Sequence, residues 1–209
     1  MSNEEIGKPD GRHARVDRGK IAAIEALLAI FAEGCSYPTA ADIAKRAGIS
    51  ERTLFRYFGT FNDFISESVG FIYPTVSHYF TAEPPAGDLE ARIKELIQLR
   101  IKFVGNYGIM ALTVDLLAVK YASAKIAAAT MEDLVATQLR QWLGDEGKKL
   151  SNETFVIVNH LLTIKSVVVL HSQLGRNCVD ALTKTAVTII KENTGNGSAH
   201  SVALAHGPR

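Results

Sequence analysis

The sequence predicts an all-α protein of about nine helices, with a small N-terminal unit and a larger C-terminal one. Three observations predict it. Apolar residues recur at intervals of three and four in one segment after another. No stretch alternates with period two for long enough to build a sheet. The stretch Thr39 to Phe58, TAADIAKRAGISERTLFRYF, has the spacing of two short helices joined by a tight turn.

Composition narrows the function. The chain has 209 residues, 47% apolar and 22% charged, which is globular material rather than a disordered chain. A net charge of +1 argues against a non-specific polycation and leaves room for one local basic face. Two cysteines, Cys35 and Cys178, are too few and too far apart for a disulfide framework and read as idle thiols. The N-terminal MSNEEIGKPDGR has no apolar core of a signal peptide. Phe155 to Leu170 is broken by Asn159, His160, Thr163, Lys165 and Ser166, so it reads as a buried helix and not a span. The expectation is a cytoplasmic chain with no membrane partner.

In order along the chain, residues 1–16 are polar, with Gly7, Pro9 and Gly11, and are expected to form a flexible basic arm. Arg12 and Arg15 there either reach a minor groove or phosphates, or belong to a solvated tail. Asp17 to Glu33 is the first helix, with Ile21, Ile24, Leu28 and Phe31 on one stripe, ended by Gly34 and Tyr37-Pro38. Thr39 caps the next helix, with Asp42 returning the bond in a capping box. Gly48 closes it in a left-handed turn, and Ser50 caps ERTLFRYF. Ile43, Ala44, Ala47, Ile49, Leu54 and Phe58 supply the apolar contacts, with Ala44 small enough for two helices to cross. That leaves Glu51, Arg52, Thr53 and Arg56 on faces the core does not need, as on a helix that lies in a DNA major groove. Residues 17–62 form this unit.

Residues 63–193 are expected to form the second domain. Thr60, with Asp63, caps a long helix carrying Phe61, Ile65, Val69, Ile72, Val76 and Phe80, which Pro74 should kink or end. Glu83 to Gly87 is a break. Asp88 to Phe103 is amphipathic, and Asn106 to Tyr121 is apolar nearly all round and so expected to be buried. Ala122 to Leu143 stops at Gly144, Asp145 to Leu150 is a charged loop, Ser151 to Leu174 is one helix, and Cys178 to Lys191 is the last. Residues 194–209 read as a disordered tail.

DIAKRAGISERTLFRYF, preceded by a helix ending in FAEGCSYPT, resembles the N-terminal domain of the TetR/AcrR family of bacterial transcriptional regulators, over about Arg18 to Val69. The resemblance implies a three-helix helix-turn-helix domain on a C-terminal helical ligand-binding and dimerisation domain, in a homodimer that binds a double-stranded operator. It implies DNA contacts from Thr39, Glu51, Arg52, Thr53, Arg56 and Tyr57, with Arg46 as a further basic contact. Arg52 suits a guanine edge and Thr53 a thymine methyl. Thr39 can meet a phosphate through its hydroxyl and the free amides of its helix. Three positions depart from the family pattern. Phe55 stands where tyrosine is usual, Phe61 where lysine is usual, and Gly59 where the residue is often polar. Two phosphate-binding groups are thereby absent.

For the second domain, Phe103, Tyr107, Met110 and Trp142 are candidate pocket walls, and Asn159 and Thr163, with Ser166, a polar stripe. Asp115 in ALTVDLLAV either meets a ligand cation or pairs with Lys120 or Arg100. The dimer seam is expected from Phe155, Val158, Leu162, Val169, Leu174, Leu182 and Ile189. No phosphate loop, nucleophile elbow or paired metal motif is present, so neither catalysis, nor a metal, nor a cofactor is expected. The reading is a ligand-responsive regulator, a repressor released from a pseudo-palindromic operator by a small molecule. The alternative is a helical small-molecule-binding protein or enzyme with weakened DNA binding.

Overall fold

The computed structural model describes residues 11–34 and 37–195, and the side chains of 15–34 and 37–194. Among them the regular structure is helical, with no strand: α1 (Gly11–Ala32), α2 (Ala40–Arg46), α3 (Glu51–Phe58), α4 (Phe61–Val76), α5 (His78–Thr81), α6 (Leu89–Ala118), α7 (Ala122–Lys149), α8 (Asn152–Leu161), α9 (Ile164–Leu174), the 3-10 turn η1 (Gly175–Asn177) and α10 (Cys178–Gly195). Setting aside the single turn α5, the described residues form nine α-helices, the number expected, although two expected helices merge and one divides.

The described chain divides into two compact units. Among the described residues, the first takes the chain up to residue 73 together with 112–127, and the second takes 74–111 and the chain from 128 onward. The division is therefore not at residue 62. The face of α4 carrying Ile65, Phe61 and Val69 needs cover, and Leu117, Ala118, Tyr121 and Ala124 supply it within the first unit. The Asn62 side chain fastens the same contact by accepting from the Ser123 amide at 2.9 Å. The core of the second unit is built on Ile93, Leu96, Ile97, Leu139, Trp142, Leu143, Val158, Leu162 and Ile190.

Several element boundaries differ from the sequence reading, each for a local reason. α1 begins at Gly11 rather than Asp17, so part of the expected arm is helical; residues 1–10 lie outside the described residues. α4 continues two residues past Pro74 before Ser77 breaks it. The helices expected on either side of Gly105 are one, α6, because a lone glycine costs a helix only about 1 kcal/mol. Its apolar second half is not buried: Ile109, Leu112 and Leu116 are all exposed, the first by 40%. By length and composition alone α6 could cross a membrane. Gly144, at φ 58°, does interrupt α7, and the expected charged loop after it is a further helical turn. The expected helix from Ser151 to Leu174 is broken at Leu162–Thr163. There Thr163 Oγ1 accepts from the Ser166 amide at 3.2 Å and starts α9 as a fresh cap. The last helix runs on to Gly195, and the expected tail from 196 lies outside the described residues, as does Cys35. Cys178 is buried and free, and burial pushes its thiol pKa up, which disfavours the reactive thiolate.

Candidate nucleic-acid interface

The helix-turn-helix is assembled by three local devices. Thr39 and Asp42 form a full capping box: the Asp42 carboxylate accepts from the Thr39 amide at 3.0 Å and from its hydroxyl at 2.6 Å, and Thr39 Oγ1 accepts from the Asp42 amide at 3.2 Å. These bonds hold the Asp42 carboxyl below its ordinary pKa. Gly48 takes φ 68°, a conformation that costs other residues strain, and lets the Ile49 amide reach back to the Ala44 carbonyl at 2.9 Å. Ser50 Oγ accepts from the Thr53 amide at 3.1 Å and so caps α3. Ile43, Ala44, Leu54 and Phe58 are buried beneath, packed with Ala23, Ile24, Leu27 and Phe31 among the buried apolar residues of α1.

On this frame the expected contact residues fare differently. Glu51, Arg52 and Arg56 are exposed on α3. No hydrogen bond or ion pair engages Arg52 among the described residues. Its guanidinium is thus open to a base edge. Thr53 is half-buried, with its hydroxyl 2.9 Å from Ser50 Oγ, so it serves the cap before it serves DNA. Tyr57 is half-buried against α1, and the Arg56 guanidinium stands over its ring at 5.4 Å. Thr39 is exposed, but its hydroxyl donates to Asp42, which leaves backbone amides as the main phosphate donors there.

Arg46 is the exception. It forms a two-pronged pair with Glu33, Nη1 to Oε2 at 2.8 Å and Nη2 to Oε1, which ties the end of α2 to the turn after α1. Each group perturbs the other, the carboxyl downward and the guanidinium upward. The sequence placed Arg46 on DNA; in the structure its charge is committed to a neighbour. Two residues that position the interface were missed. Lys20 Nζ reaches both Glu67 carboxylate oxygens at 2.8 Å and lies 5.1 Å from the Phe58 ring centre, pinning α1 to α4 over the end of α3. Gly19 gives the Tyr57 ring its seat: a Cβ there would stand 2.5 Å from Tyr57 Cε2. A lysine and a glycine inside a helix carry no signal of these partners, which lie 47 and 38 residues further along the chain.

The geometry is that of a DNA-reading helix on a three-helix support, and residues 23–67 match the sequence profile of the bacterial regulatory proteins, tetR family. The chain carries the TetR-family domain. That match spans α2, α3 and every expected DNA contact. A solved transcriptional regulator from Rhodococcus sp. Rha1 is similar to this chain in structure, with TM-score 0.61 and 12% identity, over 85% of this chain and 96% of that one. The fatty acid degradation regulator FadR from Bacillus halodurans gives TM-score 0.49 and 18% identity, over 88% of this chain and 96% of that one. At 12% identity the likeness to the Rhodococcus regulator is one of fold. No curated protein matches the chain in sequence.

The second unit treats the expected pocket residues less kindly. Trp142 is 2% exposed and donates through Nε1 to the Ala82 carbonyl at 2.8 Å, so it is core. Phe103 is fully buried, within a group of rings formed with Tyr79, Phe80 and Tyr107 at centre distances of 4.9 to 5.6 Å. Thr163 is a helix cap rather than part of a polar stripe with Asn159. Met110 is half-buried in the second unit, and Asp115 belongs to the first. A groove of about 420 Å³ on the second unit is lined instead by Glu90, Lys94, Asp180, Thr183, Lys184 and Lys191, among others, none of them expected.

Arg100 does not pair with a carboxylate. It is 1% exposed, and its guanidinium donates to the backbone carbonyls of Leu162 and, at 3.1 Å, Val135. Burial pushes its pKa down to about 9, so it remains charged at pH 7. Of the residues expected at the dimer seam, Phe155, Val158, Leu162 and Leu182 are buried within the protomer, in the core of the second unit. Val169 and Leu174 remain exposed, by 50% and 40%, as do Val156 and Ile157.

Proposed function

We propose that this TetR-family DNA-binding regulator is a homodimeric repressor that leaves its operator when a small molecule binds the second unit, acting in the cytoplasm. The observation that carries the DNA side is Arg52: an exposed, uncommitted guanidinium on a capped helix whose opposite face is buried. Two such helices related by a two-fold axis read half-sites one helical turn of DNA apart, about 34–36 Å, or a multiple of it. The exposed apolar residues Val156, Ile157, Val169 and Leu174 favour self-association through α8 and α9. Glu51, Thr53, Arg56, Tyr57 and the α2 amides at Thr39 complete the proposed contact surface. A ligand acts only if it prefers the conformation that misplaces the reading helices.

The test is fluorescence anisotropy of the full chain on the DNA flanking its own gene, across a salt series, against random DNA. Selective, salt-dependent binding is expected. Equal affinity for both DNAs at every salt concentration overturns the reading.

A further inference from the structure

The groove of about 420 Å³ on the second unit lies between the start of α6 and α10. Thr183 and Val187, both buried, form its floor. Lys184, Thr188 and Lys191 line it from α10. They stand at i, i+4 and i+7, so they share one face of that helix. Glu90 and Lys94, also one turn apart, line it from α6. Lys94 Nζ donates across the groove to Asp180 Oδ1 at 3.0 Å.

That ion pair offsets two of the charges in the groove. Lys184 and Lys191 are left against Glu90, an excess of positive charge. Among the described residues no hydrogen bond or ion pair engages either ammonium, the Thr188 hydroxyl or the Glu90 carboxylate. Sites for apolar ligands are lined mainly by hydrophobic and aromatic side chains. Here Val187 is the one apolar residue of the lining, so the occupant is polar.

Its charges are set by the two sides of the groove. Lysine carries a point charge on a flexible four-carbon stem, so two lysines flanking a hydroxyl can close on one anion. A phosphate monoester offers nearly two negative charges and three acceptor oxygens, enough for both ammoniums and the Thr188 hydroxyl. Glu90 repels a second anionic group and accepts from a neutral hydroxyl instead. Lys94 and Asp180 add a donor and an acceptor on the same side. We propose that this groove binds a sugar phosphate, with the phosphate on Lys184, Thr188 and Lys191 and the sugar hydroxyls on Glu90 and the Lys94–Asp180 pair. Its volume lies within the range of small-ligand sites, roughly 300–1,000 Å³. Binding here is a property of the second unit and does not depend on the operator-release reading.

Calorimetry on the full chain tests it, at fixed ionic strength and above pH 7, where the phosphate is mostly doubly charged. The probes are glucose 6-phosphate, fructose 6-phosphate and ribose 5-phosphate, with glucose and inorganic phosphate as fragments. At least one sugar phosphate is expected to bind about tenfold or more tighter than either fragment. Lys184→Gln and Lys191→Gln, both at exposed positions, should each weaken it several-fold, and the double variant should reduce it to the level of the free sugar. Glu90→Gln should narrow the gap between sugar phosphate and inorganic phosphate, because it removes both the repulsion and the charged acceptor. Lys148→Gln serves as the control, since Lys148 is exposed, paired with Asp145 and outside the groove; it should leave binding unchanged. Failure of all three sugar phosphates to bind at millimolar concentration, inorganic phosphate binding as tightly as they do, or an equal loss in Lys148→Gln overturns the site.

Discussion

Arg52 and Arg46 are both exposed arginines of the helix-turn-helix, yet they face opposite fates. Arg52 is uncommitted, so Arg52→Ala should cost about 1–3 kcal/mol of operator affinity while light scattering shows an unchanged oligomer. Arg46 is held by Glu33, so its removal should hardly alter binding. The informative change is Glu33→Gln, which releases Arg46. The slope of log affinity against log salt should steepen by about 1, as one more phosphate is neutralised. A slope equal to wild type would mean that Arg46 faces away from DNA even when free. Gly19 makes a third case. Ala is the better helix former by about 1 kcal/mol, but a Cβ there would stand 2.5 Å from Tyr57. Gly19→Ala should therefore lower the melting temperature, and adding Tyr57→Ala should recover part of the loss.

At the scale of the element, the caps decide. Ser50→Ala should cost about 1 kcal/mol in thermal unfolding, because α3 is only two turns long and Ser50 Oγ is the side chain that caps it, leaving the Thr53 amide with only the Ser50 carbonyl at 2.9 Å. The α2 cap is pH-dependent. Its carboxylate is depressed in the folded state, so the stabilisation is complete above the ordinary value of 3.8 and is lost as pH falls through the lower folded value. Hydrogen exchange at the α2 amides should quicken on that acid side, and Asp42→Asn should remove the pH dependence. These devices were legible because they are local: Thr39 with Asp42, Ser50 with Thr53 and the positive φ of Gly48 all act within four residues. The breaks in the second unit were not. Thr163 in an apolar run reads equally as a polar stripe or a cap, and the choice is made where Arg100, 62 residues away, takes the Leu162 carbonyl. Separation along the chain likewise hid Arg46 behind Glu33, 13 residues away, and Tyr57 behind Gly19.

At the scale of the whole molecule, neither unit is a continuous piece of chain. Residues 112–127 belong with the helix-turn-helix although the second unit's first segment, 74–111, lies between them in sequence. Leu117→Ala, with Leu117 packed against Ile65, should destabilise the first unit by about 2–5 kcal/mol. Denaturant melts followed at the helix-turn-helix amides would report it, and operator affinity should fall with it although Leu117 lies outside the matched profile.

That interleaving also sets an order of events during synthesis. The profile-matched segment leaves the ribosome first, yet the face of α4 bearing Ile65 stays bare until Leu117 and Ala124 have followed it. At roughly 5–20 residues per second, the intervening fifty or so residues take a few seconds to make. A nascent chain stalled before residue 112 would carry its DNA-reading helices without their full support. Such an intermediate is expected to aggregate or bind a chaperone more readily than the full chain, because its apolar α4 face is uncovered.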